Sequence, residues 1–334
     1  MRGDAALVVV ACVAALAFEV GSERDARAFC RTTTCPLPPD FSPSISGCQP
    51  PDFAQYCASL DPPVQPLPIW WRNACVSYDI QEDASRQVPY ATAVQSFATA
   101  FSKWTSVTCS DGSLGDGGVS ISVTNLGPVE CDLVQYSSDQ GNQHVIIFHD
   151  ESWPYNDPNN TLGLTTITFD PDTGEIYDAD MEINSTQPLT VSGPLPSDGY
   201  DFLSIITHET GHFFGMAHSN DDSATMYAHY QPGTTTMRTL TADDTTGICS
   251  IYPPNATREV ATSVAASGTI TEDTCDPTPR HGFQSECAQP VNKGCAASVG
   301  VGETRPAALI VFGTIIVSAR RVRRKARSRA DARI

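Results

Sequence analysis

Histidine is scarce in this chain, with seven in 334 residues. Basic residues are few as well: 20 Lys and Arg stand against 38 Asp and Glu, for a net charge of −18. Nine of those 20 fall in residues 305–334, so residues 1–304 carry −26 and the last thirty +8. A body this acidic repels a phosphate backbone, which excludes nucleic acid as a partner. Solubility accounts for the charge, with calcium binding as a lesser alternative. No apolar run reaches the roughly 20 residues that a membrane helix needs. The two candidates are shorter. Ala5–Phe18 follows Arg2 and contains Ala15-Leu16-Ala17, which reads as a secretory signal over 1–17. Ala307–Ala319 precedes RRVRRKARSR; the arginines suit the cytoplasmic side of a membrane, or the segment is a basic tail without an address.

Cysteine, by contrast, is plentiful. Apart from Cys12 in the leader there are eleven: Cys30, Cys35, Cys48, Cys57, Cys75, Cys109, Cys131, Cys249, Cys275, Cys287 and Cys295. Behind an export signal these read as disulfides, with pairing left open. Eleven is odd, and Cys295 is the candidate for the unpaired one.

Three of the seven histidines fall within THETGHFFGMAHS, residues 207–219. On a helix, His208 and His212 share a face one turn apart, with Glu209 beside them. Gly215 supplies the residue type that lets a chain turn at a helix C-terminus, which returns His218 as a third ligand. Three imidazoles with one open position describe a catalytic zinc site. Zinc lowers the pKa of bound water, and a neighbouring carboxylate, Glu209, can act as general base.

The run His208-Glu209-Thr210-Gly211-His212-Phe213-Phe214-Gly215-Met216-Ala217-His218 resembles the zinc-binding consensus of the metzincin metallopeptidases. Met226, eight residues on in SATMY, stands where these proteins carry the methionine of a tight turn beneath the zinc. Ser219 and Tyr227 make the stretch similar to the matrixins; Ala228 stands where matrixins often have proline. TTITFDPDTGEIYDADMEIN ahead of the motif is similar to matrixin-type peptidases of myxobacteria, and Gly294-Cys295, an apolar span and a basic end are similar to the C-terminal sorting tails of myxobacterial surface proteins. The resemblance implies an α+β catalytic domain with a twisted mixed sheet, a zinc-site helix and a Met-turn. It also implies one catalytic zinc on His208, His212 and His218, and a protein or peptide substrate lying antiparallel along an edge strand at about Leu162–Thr166. Gly163, Leu164, Thr165 and Tyr227 would then touch substrate. The latency motif PRCGxPD is absent, and Cys30-Arg31 is a poor substitute. Thr168 stands where animal matrixins place a histidine for a second zinc. The acidic run Asp170, Asp172, Glu175, Asp178, Asp180 and Glu182 either binds Ca2+ or is a polar hairpin face.

Along the chain the reading is a signal peptide (1–17), a Cys/Pro-rich segment or propeptide (18–66), a catalytic domain (67–254), a linker with a small disulfide loop (255–304), and an apolar and basic tail (305–334) that associates with a membrane. Within the domain, residues 74–80, 118–123 and 144–150 are expected strands, 162–184 a hairpin, and 88–107, 199–214 and 240–254 helices. The activity expected is that of an exported zinc endopeptidase. Two rivals stand beside it: a surface binding protein with a relict zinc site, and a zinc hydrolase of non-peptide amides or esters.

Overall fold

The computed structural model describes residues 29–38, 48–110, 115–260, 270 and 274–289, with the backbone of 263–265, 308–312 and 316–317. The expected signal peptide, Cys295 and the basic end lie outside the described residues.

Strand β1 (Cys30–Arg31) and helix α1 (Phe53–Ala58) open the fold. The domain proper follows as β2 (Cys75–Gln81), α2 (Tyr90–Thr105), β3 (Ser122–Val129), β4 (Val145–Phe148), β5 (Gly163–Phe169) and β6 (Ile176–Ile183). It continues with α3 (Phe202–Phe213), β7 (Met216–Ala217), β8 (His229–Tyr230), α4 (Ala242–Ile251) and β9 (Arg258–Val260). The tail adds two strands, β10 (Ala308–Phe312) and β11 (Ile316–Val317). One mixed sheet runs β10-β5-β6-β4-β2-β3. β2, β3, β4 and β6 are joined by parallel pairings, while β5 is antiparallel to β6 and to β10.

Strand alternation sorts the sheet into two faces. Val76, Tyr78 and Ile80 of β2, Ile146 and Phe148 of β4, and Ala179, Met181 and Ile183 of β6 join the main core with Phe97, Phe101 and Trp104 of α2 and Phe202, Ile205 and Ile206 of α3. Tyr78 stacks on Phe101 at 4.4 Å between ring centres. The opposite face is mixed. Val145 and Ile147 pack with Val129 and Val134, while Asp79, Asp178, Asp180 and Glu182 are buried polar residues there.

Element ends differ from the sequence pattern for local reasons. α2 starts at Tyr90 because Pro89, with no N–H to donate, occupies the N-cap. β3 runs from Ser122 rather than through 118–123: Gly117–Gly118 pair instead with Thr108–Cys109, and β3 continues through Gly127 and Pro128, tolerated because β3 is the sheet's outer strand. α3 begins at Phe202 because Asp201 caps it, accepting from Ser204 N at 2.9 Å, and Tyr200–Asp201 pair with Leu189–Thr190. His229 lies on β8.

Among the described residues, five disulfides join Cys30–Cys48, Cys35–Cys57, Cys75–Cys275, Cys109–Cys249 and Cys131–Cys287. The expected small loop closed within 255–304 is corrected here: Cys275 and Cys287 do not pair with each other but staple their segment to β2 and to the end of β3. Arg258 anchors the same segment. It is buried, lies 4.9 Å over the Tyr252 ring, and donates to the carbonyls of Trp71 and Ser120.

Candidate metal centre

α3 carries His208, Glu209 and His212 on consecutive turns, in the innermost part of the fold. His208, Glu209 and His212 are at most 1% exposed. Two carbonyls at the C-terminal end of α3 take side-chain donors: Trp71 Nε1 donates to Phe213 O at 2.8 Å and Tyr252 Oη to Phe214 O at 2.9 Å. Gly215 then turns the chain at φ +90°, where a Cβ would lie 2.9 Å from Ile69 O. β7 follows and delivers His218. It is held antiparallel to β1, with Cys30 opposite Ala217 and Arg31 opposite Met216, and Thr32 N donates to Gly215 O at 3.0 Å. Residues 30–32 of the Cys/Pro-rich segment thus support the third histidine. Cys30 is bonded to Cys48.

The three imidazoles converge. His208 Nε2 is 3.1 Å from His212 Nε2, which is 3.3 Å from His218 Nε2. A tetrahedral ion with bonds of about 2.0–2.1 Å keeps its nitrogens about 3.3 Å apart. The far nitrogens have carbonyl partners: His208 Nδ1 on Thr225 O at 2.7 Å and His212 Nδ1 on Met216 O at 2.9 Å. A carbonyl can only accept, so each Nδ1 carries the proton and each Nε2 presents a lone pair inward. Burial reinforces the neutral form, pushing His212 down to about 4 and His208 well below its ordinary value. Uncharged nitrogens aimed at one point at this spacing fit zinc, and this is the one such group of His, Cys, Asp or Glu among the described residues.

Glu209 flanks that point. Its Oε2 accepts from Thr165 Oγ1 at 2.7 Å, and its Oε1 is buried without a hydrogen-bond partner. Burial pushes the carboxyl up to about 8. Gly163 leaves room for it: a Cβ there would meet Oε1 at 2.7 Å. Gly163 and Thr165, expected to touch substrate, therefore face Glu209, and Thr165 is wholly buried. Leu164 points to the other face of β5. Tyr227 is partly exposed beside His229, 5.4 Å between ring centres. The expected open edge at Leu162–Thr166 is also occupied in part, because β10 pairs with Thr165–Phe169 and leaves Gly163 and Leu164 beyond it.

Met226 lies beneath the site. A Cβ on Gly211 would fall 2.2 Å from Met226 Sδ and 2.8 Å from Trp104, so a glycine inside α3 lets the turn approach. Asp244 holds that turn. Its carboxylate accepts from Thr225 N at 2.8 Å, Met226 N at 3.0 Å and Thr241 N at 2.8 Å. Asp243 accepts from Ser219 Oγ at 2.6 Å and Phe29 N at 2.7 Å. Asp243 and Asp244 thus organise the loop behind the histidines. Gly211 carried a signal that the pattern alone did not use, since glycine within a helix costs about 1 kcal/mol and so marks close approach. Thr165 gave no comparable signal.

The expected calcium run is split by the hairpin. Asp170 caps the turn through Asp172 N at 2.8 Å, and Glu175 pairs with Arg280 at 2.8 Å. Asp178, Asp180 and Glu182 face the buried side of β6. There Asp180 accepts from Val145 N at 2.8 Å and Glu182 from Tyr155 at 2.7 Å. Asp178 Oδ1 and both Asp79 oxygens have no hydrogen-bond partner. His144 Nδ1 is 2.9 Å from Ser77 O, while His149 sits on Glu182 at 2.8 Å.

With this geometry in place, comparison with known proteins is decisive. The family model described as Matrixin matches residues 70–253. The chain belongs to the matrixin family. Among curated relatives, this matrixin is similar to human matrilysin, 36% identical over 104 residues, covering 31% of this chain and 36% of that protein. It is similar to human neutrophil collagenase, 31% identical over 129 residues, covering 39% and 25%. It is also similar to a probable matrix metalloproteinase of invertebrate iridescent virus 3, 28% identical over 131 residues, covering 38% and 34%. The chain thus spans about a third or less of the length of these relatives.

Proposed function

We propose that this matrixin is an exported zinc-dependent endopeptidase that hydrolyses protein or peptide substrates. The observation that carries the reading is the convergence of three inward Nε2 atoms beside a carboxylate with one oxygen anchored and the other without a partner. Zinc on His208, His212 and His218 supplies a Lewis acid that acidifies water and polarises a carbonyl. Thr165 fixes Glu209 Oε2, so that Oε1 is aimed rather than free to rotate. Glu209 takes a proton from the attacking water and hands it to the departing amine. The peptide lies against β5 near Gly163 and Leu164, with Tyr227 on the opposite rim. An intact Glu209 disfavours a relict site. The five disulfides support export to an oxidising compartment.

The test is Glu209→Gln in the full chain, assayed on a diverse peptide library with and without chelator. Glutamine keeps the shape and cannot accept the proton, so about one zinc per chain is expected to remain while cleavage falls by roughly 10²–10⁴-fold or more. Near-parental turnover in this variant, or chelator-insensitive cleavage by the parent, defeats the reading.

A further inference from the structure

The outer side of β5 and the strand after the Met-turn are both paired with the same short stretch of the C-terminal tail. β10 runs antiparallel to β5, from Ala308 opposite Phe169 to Phe312 opposite Thr165. β11 runs parallel to β8, with Ile316 opposite His229 and Val317 opposite Tyr230. The two partners flank the metal centre. β5 reaches it through Thr165 on Glu209, and β8 lies three residues beyond Met226, whose neighbour Thr225 holds His208. Only residues 313–315 separate the two pairings. Four peptide steps from Phe312 to Ile316 reach at most about 13–14 Å. A chain making both pairings therefore has a fixed polarity across the two rims.

We infer that β10 and β11 are an internal ligand of the cleft, with β10 covering Thr165 and Thr166 of the edge along which the peptide of the proposed reaction would lie, and that they hold the full chain in a self-inhibited state. This inference rests on the peptidase reading for its functional consequence, though not for the docking itself. The composition suits the role. ALIVFGTIIV holds no charge and is rich in β-branched residues, which favours extended pairing. Strand addition draws its affinity from main-chain bonds and so needs no particular side chain. A tethered segment also acts at an effective concentration in the millimolar range, so weak intrinsic affinity is enough to keep it in place. Residues 308–312 cannot be in a bilayer and on β5 at once, so membrane insertion of the tail would open the cleft.

The experiment uses the full chain carrying Leu309→Pro together with Ile310→Pro. In an antiparallel ladder alternate residues donate to the neighbour, so one of two adjacent prolines removes a bond whichever register holds. Ala330→Pro, outside both strands, is the control. We expect turnover of a short fluorogenic peptide to rise at least about tenfold in the double variant alone. A synthetic peptide of residues 306–319 should restore inhibition by raising KM with kcat unchanged. Hydrogen exchange gives a readout independent of activity: the Thr165–Phe169 amides should exchange faster in the double variant and slow again with the peptide. Unchanged exchange overturns the docking. If exchange responds as expected but the double variant cleaves no peptide at all, the docking stands and the peptidase reading fails. Changed exchange with unchanged turnover in an active enzyme overturns self-inhibition.

Discussion

Thr165 is the residue on which the aim of Glu209 depends. Its hydroxyl donates to Glu209 Oε2 at 2.7 Å, and both residues are buried. A hydrogen bond to a charged group contributes about 1.5–3 kcal/mol. Thr165→Val keeps the shape and removes the donor, so kcat should fall by roughly ten- to a hundredfold while zinc stoichiometry is unchanged. Thr165→Ser should recover most of the loss. Steady-state kinetics beside metal analysis decides it, and a drop in zinc content would show that Thr165 supports the ligands instead. The pairing of His208 with His212 was legible from spacing, because helix geometry fixes what lies four residues away. Thr165 was not, because its partner is 44 residues distant and the pairing exists only once β5 lies beside α3.

At the scale of elements, the Met-turn is suspended from α4. Asp244→Ala would leave the amides of Thr225, Met226 and Thr241 without an acceptor; the first two are buried. Unmet buried donors cost about 1–3 kcal/mol each, so a loss of roughly 3–5 kcal/mol is expected in a urea titration. The buried face of β2 gives a pH signature. Burial pushes Asp79 up from 3.8 to about 7. Between those values the unfolded chain releases a proton that the native chain keeps, so stability falls as pH rises through that window. Asp79→Asn removes this titration. In chelator, the variant should match the parent near pH 4 and exceed it by about 2–4 kcal/mol at pH 8. Equal stability at both pH values would mean that Asp79 is ionised in the native state.

On the scale of the whole molecule, the segment after α4 belongs structurally to the catalytic domain. Cys75–Cys275 bridges residues 200 apart, and Cys131–Cys287 bridges residues 156 apart. A bridge of this kind typically contributes about 2–4 kcal/mol by restricting the unfolded chain. Cys75→Ser with Cys275→Ser should lower Tm by about 5–15 °C, with the zinc content kept because both cysteines lie away from the histidines. Calorimetry with and without reductant checks this, and an unchanged Tm would show that the staple is dispensable.

What the sequence determined by itself is whatever is written in local periodicity. The HExxH spacing, the glycine turn and the third histidine prescribe the meeting of three imidazoles within eleven residues. Alternation in 74–80 and 162–184, and the apolar stripe of 88–107, prescribe strands and a helix close to those observed, because period and side-chain size act within a few residues. Only the tertiary structure decided the rest. Disulfide partners, the support of His218 by Thr32, the clasp of Asp244 on Met226 and the seat of β10 on β5 all join residues far apart in the chain. Local propensity carries no information about such partners. They are chosen when burial demands an acceptor for each amide and a neighbour for each open strand.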